Sequence, residues 1–387
     1  MAHIQFNLNF DELKEKILTS NLDDILKSTM VLVLNEYMKQ EQTDYLNAQS
    51  YERSSDRRDY RNGYYERELL MSIGNVPLRV PRTRSGEFHT SAFEKYERSD
   101  QSFLLALVEM VVNGVSTRKV TNVVNKLCGE NVSKSFVSSL TKKLDPVVEE
   151  WANRSLSEIY YPYVFVDAMY VKVREYNRVV SKAIYIATAI DDNGKRHVLG
   201  FDVDHEESYE AWKDFLHRLK QRGLQAPRLV ISDAHSGLKK AIQRVFVGTA
   251  WQRCTVHFKR NVIDKMPKKG IQEVKNDFKR IYNASSTQEA RNIKNEFIEK
   301  YKDQPKLEKA IHTLEEGFED TIQYLVEPLK RHQFIRSTNF LERLNQEVRR
   351  RERVIRIFPN NQSAYRLVGA ILMDHEEELK KKKRTLF

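Results

Sequence analysis

Cysteine is nearly absent. Two occur in 387 residues, Cys128 and Cys254. That excludes a disulfide scaffold and suits a reducing cytoplasm. No stretch approaches the roughly 18 to 20 continuous apolar residues of a membrane span. The first ten residues carry no basic segment followed by an apolar run, so a secretory signal is not expected. Low-complexity segments and internal repeats are missing too, apart from a short basic run at Lys380 to Arg384 that reads as a solvated, frayed tail. Hydrophobic residues make up 40%, too many for a mostly disordered chain. The length suits two to three domains with ample core.

Negative charge is in deficit. The net charge is +11, which points weakly to a polyanionic partner. The excess is uneven. Residues 1–50 carry 4 basic and 8 acidic groups, whereas residues 251–300 carry 12 basic and 6 acidic groups. The acidic start argues against direct DNA contact there and favours packing or oligomerisation.

The periodicities divide the chain. Residues 1–50 read as a helical segment, with Leu13, Ile17, Leu22, Ile25 and Leu26 and then Met30, Leu34 and Tyr37 at helical spacing. Residues 51–100 hold an Arg/Tyr-rich linker and a hairpin with strands near 66–72 and 76–82, joined at Gly74-Asn75. In the linker, Arg57, Arg58 and Arg61 lie among tyrosines. They either grip phosphates or form a solvated linker. Residues 101–150 read as a helix-turn-helix-like module: an apolar helix to Val112, a stop at Asn113-Gly114, a helix capped by Ser116, and a third, Lys134 to Leu144, capped by Ser133. Arg118, Lys119, Lys134, Ser138 and Lys142 could face DNA there, although any small helical hairpin shares the pattern.

From residue 163 the signal turns to strands. Three strands in a meander precede helix, strand, helix, strand, helix. That is the order of a ribonuclease-H-like α/β domain with a mixed sheet, placed here over 151–267. Residues 268–335 are charged and helical, read as an insertion. Residues 336–387 return core helices and the basic tail.

Asp167 is the lone charge in an apolar strand, where a carboxylate is costly unless it is paired or bound to a metal. Asp233 sits where a short buried strand meets a loop, a usual place for a ligand-binding residue and also for a capping one. Glu342 lies on the first turns of a helix between Leu341 and Leu344. In such a fold the first and fourth strands are neighbours and a later helix closes the site. Three carboxylates can then hold two hard divalent cations, Mg²⁺ with Mn²⁺ as a substitute, for phosphodiester chemistry. Arg349, seven residues beyond Glu342, shares roughly its face and could hold a phosphate. Arg350 and Arg351 follow it. Lys259, Arg260, Lys268 and Lys269 belong to the densest basic cluster and suit DNA backbone binding.

The chain resembles the Mutator-type transposases of bacterial insertion sequences. The matching stretches are Arg61-Asn62-Gly63-Tyr64-Tyr65-Glu66-Arg67, Val80-Pro81-Arg82, Gly114-Val115-Ser116-Thr117-Arg118, Leu229 to His235, Trp251 to His257 with its Cys-x-x-His, and Ser337 to Asn345, with Arg349-Arg350-Arg351 beyond. The resemblance implies an Asp-Asp-Glu catalytic triad at Asp167, Asp233 and Glu342. It also implies double-stranded DNA as partner, with transposon ends bound at their inverted repeats, and strand cleavage followed by strand transfer. A homodimer or larger assembly acting in the bacterial cytoplasm at the nucleoid fits that task. Cys254 and His257 are expected to support catalysis or to be a packed pair. A zinc site is not expected, since no second cysteine pair is present. The rival expectation is a DNA-binding protein that kept the fold and lost catalysis.

Overall fold

The computed structural model describes residues 22–52, 55–71, 74–92, 101–128, 133–204, 206–381 and 385–387. The helical signal expected before residue 22 lies outside them. The chain divides into two units, Met1–Thr141 and Lys142–Phe387.

In the first unit, helix α1 (Leu22–Leu46) packs on a hairpin of β1 (Arg61–Met71) and β2 (Gly74–Thr83). Cross-strand pairing of Leu69 with Val76 and of Arg67 with Leu78 fixes which residues share a face. Leu69, Val76, Leu78 and Val80 form one small core with Leu34 and Met38 of α1. The strands run further than expected. Gly74 and Asn75 are not the turn: they pair with Met71 and Leu70 inside the ladder. Gly74 takes a positive φ of 105° there, a conformation that suited the turn reading but here opens a strand.

Three helices follow, α2 (Gln101–Val112), α3 (Thr117–Cys128) and α4 (Lys134–Thr141). Gly114 at φ 86° ends α2. Ser116 and Ser133 cap α3 and α4, accepting from the backbone of Lys119 at 3.3 Å and Phe136 at 3.0 Å. Leu107, Val120, Val124, Val137 and Leu140 close a second core. The third helix is shorter than expected: Lys142–Leu144 is a 3-10 turn.

The second unit opens with α5 (Asp145–Asn153) and the meander β3 (Tyr163–Glu175), β4 (Arg178–Ile190) and β5 (Arg196–Asp204). Then come α6 (Tyr209–Gln221), β6 (Leu229–Ser232), α7 (Ser236–Val245), β7 (Ala250–Arg253) and α8 (Thr255–Asp264). The sheet is mixed, in the order β5-β4-β3-β6-β7, with β6 and β7 parallel to β3. This is an α/β architecture, as expected.

Alternation in β3 splits the core. Val164 and Val166 face α6 and α7 with Trp212, Phe215 and Ile242. Tyr163 and Phe165 face the other layer. That layer holds α9 (Gln272–Ile281), α10 (Thr287–Tyr301), α11 (Glu308–Gly317), the short α12 (His332–Ile335), α13 (Asn339–Ile355) and α14 (Asn361–Lys381). Among the described residues no strand lies between 268 and 335. Phe278, Phe297, Leu314 and Phe318 of this stretch join the same core as Phe165 and Ile231 of the sheet. No helix among the described residues is long and apolar enough to cross a membrane.

Candidate active site

Strand pairing sets two of the carboxylates side by side. β3 and β6 run parallel, with Val164 beside Val230 and Phe165 beside Ile231. Carrying that register on by two residues brings Asp167 level with Asp233, one strand spacing of roughly 4.8 Å away. On the other side of β6, Ser232 pairs with Arg253, so the next residues, Asp233 and Cys254, also come level. The β6 and β7 strands end there because both chains turn into helices. Cys254 opens α8, and its amide donates to the Ser232 carbonyl at 2.8 Å. His257 therefore stands on the first turn of α8, above the sheet edge.

Helix α13 supplies the remainder. Asp167 has the strand parity of Phe165 and Met169, so it faces the α13 layer. Asn345 of α13 is buried, and its Nδ2 donates to Asp167 Oδ2 at 2.7 Å. Asp167 Oδ1 accepts from the Ala168 amide at 2.9 Å. Glu342 is one helical turn before Asn345 and so lies on the same face. His257 spans the other two carboxylates. Its Nδ1 is 2.5 Å from Asp233 Oδ1 and its Nε2 is 3.4 Å from Glu342 Oε1.

The electrostatics follow from crowding acids into a half-closed space. Burial, then the neighbouring charge of Asp233, pushes the Asp167 carboxyl up to about 7. His257 moves the opposite way from a buried imidazole: its bonds to Asp233 and Cys254 outweigh burial and raise it to about 10. It is an imidazolium at neutral pH. Burial would raise the Cys254 thiol, but bonds from His257 and Thr338 outweigh it and hold the thiol below its ordinary value. Thr338 Oγ1 reaches Cys254 Sγ at 3.4 Å.

The donor set suits a hard cation. Asn345 Oδ1 is buried and accepts no hydrogen bond, and buried Glu342 Oε1 meets His257 Nε2 only as an ion-pair contact at 3.4 Å, without a hydrogen bond. Oxygen atoms lacking donors, gathered beside carboxylates, are what Mg²⁺ binds. Asp233, Cys254 and His257 also bring ligand atoms within 4.8 Å of one another. That trio is mixed oxygen, sulfur and nitrogen, with its imidazole engaged by two carboxylates.

Asn345 is the residue that sequence reasoning missed. The signal was available: it stands three residues after Glu342, the spacing that shares a helix face. Of the arginines after it, Arg349 is exposed two turns beyond Glu342. Arg350 is exposed and pairs with Glu347 at 3.1 Å. Arg351 is buried and bonded to the same Glu347, which gives it a structural partner. Arg260, Lys268 and Lys269 are exposed, whereas Lys259 is half-buried with its ammonium 5.4 Å from the Tyr282 ring. Both tryptophans near the site are buried: Trp212 donates to Glu207 at 3.1 Å and Trp251 to Ser232 Oγ at 2.8 Å.

In the first unit, Arg118, Lys119, Lys134 and Ser138 are exposed on α3 and α4; Lys142, the first residue of the second unit, is exposed in its 3-10 turn. Arg57 and Arg61 are occupied. Arg57 donates to the carbonyls of Gln49 and Glu52, and Arg61 to those of Gln49 and Ala48 and to Thr43 Oγ1. They tie the start of β1 to the end of α1. Arg58 is exposed.

Comparison with known proteins agrees with the resemblance read from the motifs. Residues 1–382 match the family model described as "Transposase, Mutator family". The chain is 48% identical over 378 residues, 98% of its length and 97% of the relative's, to the transposase for insertion sequence element IS256 in transposon Tn4001 of Staphylococcus aureus. It is 41% identical to the transposase for insertion sequence element ISRM5 of Rhizobium meliloti, over 93% of this chain and 90% of that one. A chain of the simian T-cell lymphotropic virus intasome in complex with a PP2A regulatory subunit aligns with a TM-score of 0.18 at 10% identity, over 54% of this chain and 63% of that one, too slight a likeness to carry an argument. With residues 1–382 matched by the family model and 98% of its length by a relative 48% identical, the chain belongs to the Mutator family of transposases.

Proposed function

We propose that the protein is an Asp-Asp-Glu transposase that binds the terminal inverted repeats of an insertion sequence in double-stranded DNA, cleaves at the ends and transfers the freed 3′-hydroxyl to DNA. One observation carries the reading: three carboxylates distant in sequence meet at one sheet edge, linked through His257 and Asn345. The strand and helix order supports a ribonuclease-H-like domain. Helices α2 to α4 support a helix-turn-helix-like reading of DNA, with Arg118, Lys119, Lys134, Ser138 and Lys142 as contacts.

Asp167, Asp233 and Glu342 would hold two Mg²⁺ ions, or Mn²⁺ in their place. Such ions, when bound, activate an attacking oxygen and stabilise a leaving one. The chain's own groups prepare the site. Asn345 and the Ala168 amide each hold one Asp167 oxygen, so the carboxylate is fixed in its orientation. His257 holds Asp233 and Glu342 in reach of each other and offsets their charge. Arg349, Arg260, Lys268 and Lys269 would lie along the phosphate backbone, with Lys259 and Arg350 at their margins and Arg351 bracing the helix that carries Glu342. Joining two ends calls for a homodimer or larger assembly, working at the nucleoid in the cytoplasm.

The test is strand cleavage of a duplex carrying the DNA that flanks this gene, with Mg²⁺ and the purified chain. Asp167→Ala should bind that duplex and leave it uncut. Wild-type protein that cut and joined no better than this variant would overturn the enzyme and favour a DNA-binding derivative.

A further inference from the structure

The hairpin of the first unit holds a feature that the catalytic reading does not use. Between the open end of the hairpin and the loop that follows β2 lies a cavity of about 710 Å³. Its walls include Arg67, Arg82, Arg84 and His89 and, among the described residues, no acidic side chain. Aromatic rings of Tyr65 and Phe88 complete it.

Register explains why the arginines gather. Tyr65 pairs with Val80 and Arg67 with Leu78, so these residues and Arg82, two beyond Val80, share the inner face of the ribbon. Toward the turn that face is apolar and covered by α1. Toward the open end it becomes basic. The Arg82 guanidinium lies 4.7 Å from the centre of the Tyr65 ring, an arrangement that holds its plane still. Arg84 is exposed, and its own amide is fixed to the Tyr60 carbonyl at 2.9 Å.

Of the carboxylates nearby in sequence, Asp59 and Glu41 are used elsewhere, Glu66 and Glu68 lie on the outer face, and Glu87 of the loop is exposed outside the lining. Asp59 accepts from the amide of Ser85 at 3.0 Å and from its hydroxyl. Glu41 accepts from Thr90 and Ser91. Glu66 pairs across the ladder with Arg79 on the outer face, and Glu68 with Pro77. The same bonds shape the loop into a wall, because Asp59 and Glu41 pin its two ends.

We infer that this cavity is a DNA phosphate-backbone site, with Arg82 and Arg84 as its contacts, and that the hairpin is a β-ribbon lying along the duplex. The inference rests on the transposase reading for its ligand and names where the first unit grips it. A guanidinium placed over a tyrosine face is positioned for two-pronged phosphate contact. With Arg57 and Arg61 occupied by backbone carbonyls, the grip moves from the linker to the ribbon.

The probe is a fluorescein-labelled 30-base-pair duplex of arbitrary sequence, titrated with the full chain at several salt concentrations. Each phosphate contact contributes about 0.9 to the slope of log K against log salt. Arg82→Gln with Arg84→Gln should flatten the slope by about 1.8 and weaken binding on the order of tenfold at low salt. Arg82→Lys with Arg84→Lys should keep most of the slope. Arg79→Gln, on the outer face over Tyr64, should leave it unchanged. Far-UV circular dichroism confirms folding of each variant. A Gln double variant with the wild-type slope would overturn the hairpin site while cleavage by the wild type still stood. Equal loss from Arg79→Gln would overturn it as well, since the effect would then be general charge. A wild type that bound the duplex but never cut end-bearing DNA would sink the transposase reading and leave the hairpin site in place.

Discussion

At the scale of single residues, the site balances repulsion with two well-placed partners. Asp167 is raised to about 7 because burial and the charge of Asp233 both disfavour its anion. The sign follows directly. The folded protein keeps this proton where the unfolded chain, with an ordinary aspartate near 4, has lost it. Stability from that proton is full below about pH 4 and is lost as pH rises through about 7. In metal-free buffer with a chelator, Asp167→Asn should therefore raise Tm at pH 8, by an amount on the order of a few kcal/mol in stability. The gain should shrink to nothing near pH 4. A constant gain across that range would show that the acids do not crowd one another. Asn345 is tested through chemistry. Asn345→Ala removes a charge-assisted bond worth about 1.5 to 3 kcal/mol and leaves Asp167 able to turn away. Cleavage should fall by roughly ten- to a hundredfold with little change in DNA affinity, measured by single-turnover cleavage beside equilibrium binding. The three carboxylates were legible in the sequence because a charge in an apolar strand, a strand-end aspartate and a motif around a glutamate each leave a local mark. Asn345 closes that same motif without a chemistry of its own to announce, and its role appears only when β3 and α13 are packed.

Among elements, the turns and caps were the most readable and the hairpin register the least. Ser208 caps α6 by accepting from Ala211 at 3.2 Å, and Gly223 follows that helix at φ 100°. Both follow from local chemistry, since capping and positive φ are decided by the residue itself. Gly74-Asn75 failed as a turn because register is set by partners across the ladder and by the face that α1 covers. The two α6 ends should differ in cost. Ser208→Ala should lose about 1 kcal/mol. Gly223→Ala should lose more, because its added methyl would meet Ser157 Cβ at 2.7 Å and its backbone at 2.9 Å, in a conformation already strained for alanine. Urea unfolding midpoints rank the two; the reverse order would show that the chain relaxes around Ser157.

For the whole molecule, the charge of +11 resolves into placed groups. Arg260, Lys268 and Lys269 are exposed, while Lys259 leans on Tyr282. Neutralising all four should flatten the salt dependence of DNA binding by about 3 rather than by the nearly 4 expected of four equal contacts. It should weaken end-bearing and unrelated duplexes alike. Loss confined to end-bearing DNA would mean that this cluster reads sequence. Among the described residues, the stretch 268–335 holds helices and no strand. Its apolar side chains nevertheless complete the same core as Phe165 and Ile231, a long-range outcome that composition could not indicate.

That arrangement also sets an order in time. Glu342 follows Asp233 by 109 residues, and the helices between them are part of the core on which α13 rests. At about 5 to 20 residues per second of synthesis, the acidic site stays open for roughly 5 to 20 seconds after its second carboxylate has been made. During that interval a growing chain already contains the entire basic hairpin but lacks the helix that brings Glu342 and Asn345. On the proposed reading, unfinished chains would carry the DNA grip before the cleavage site is complete.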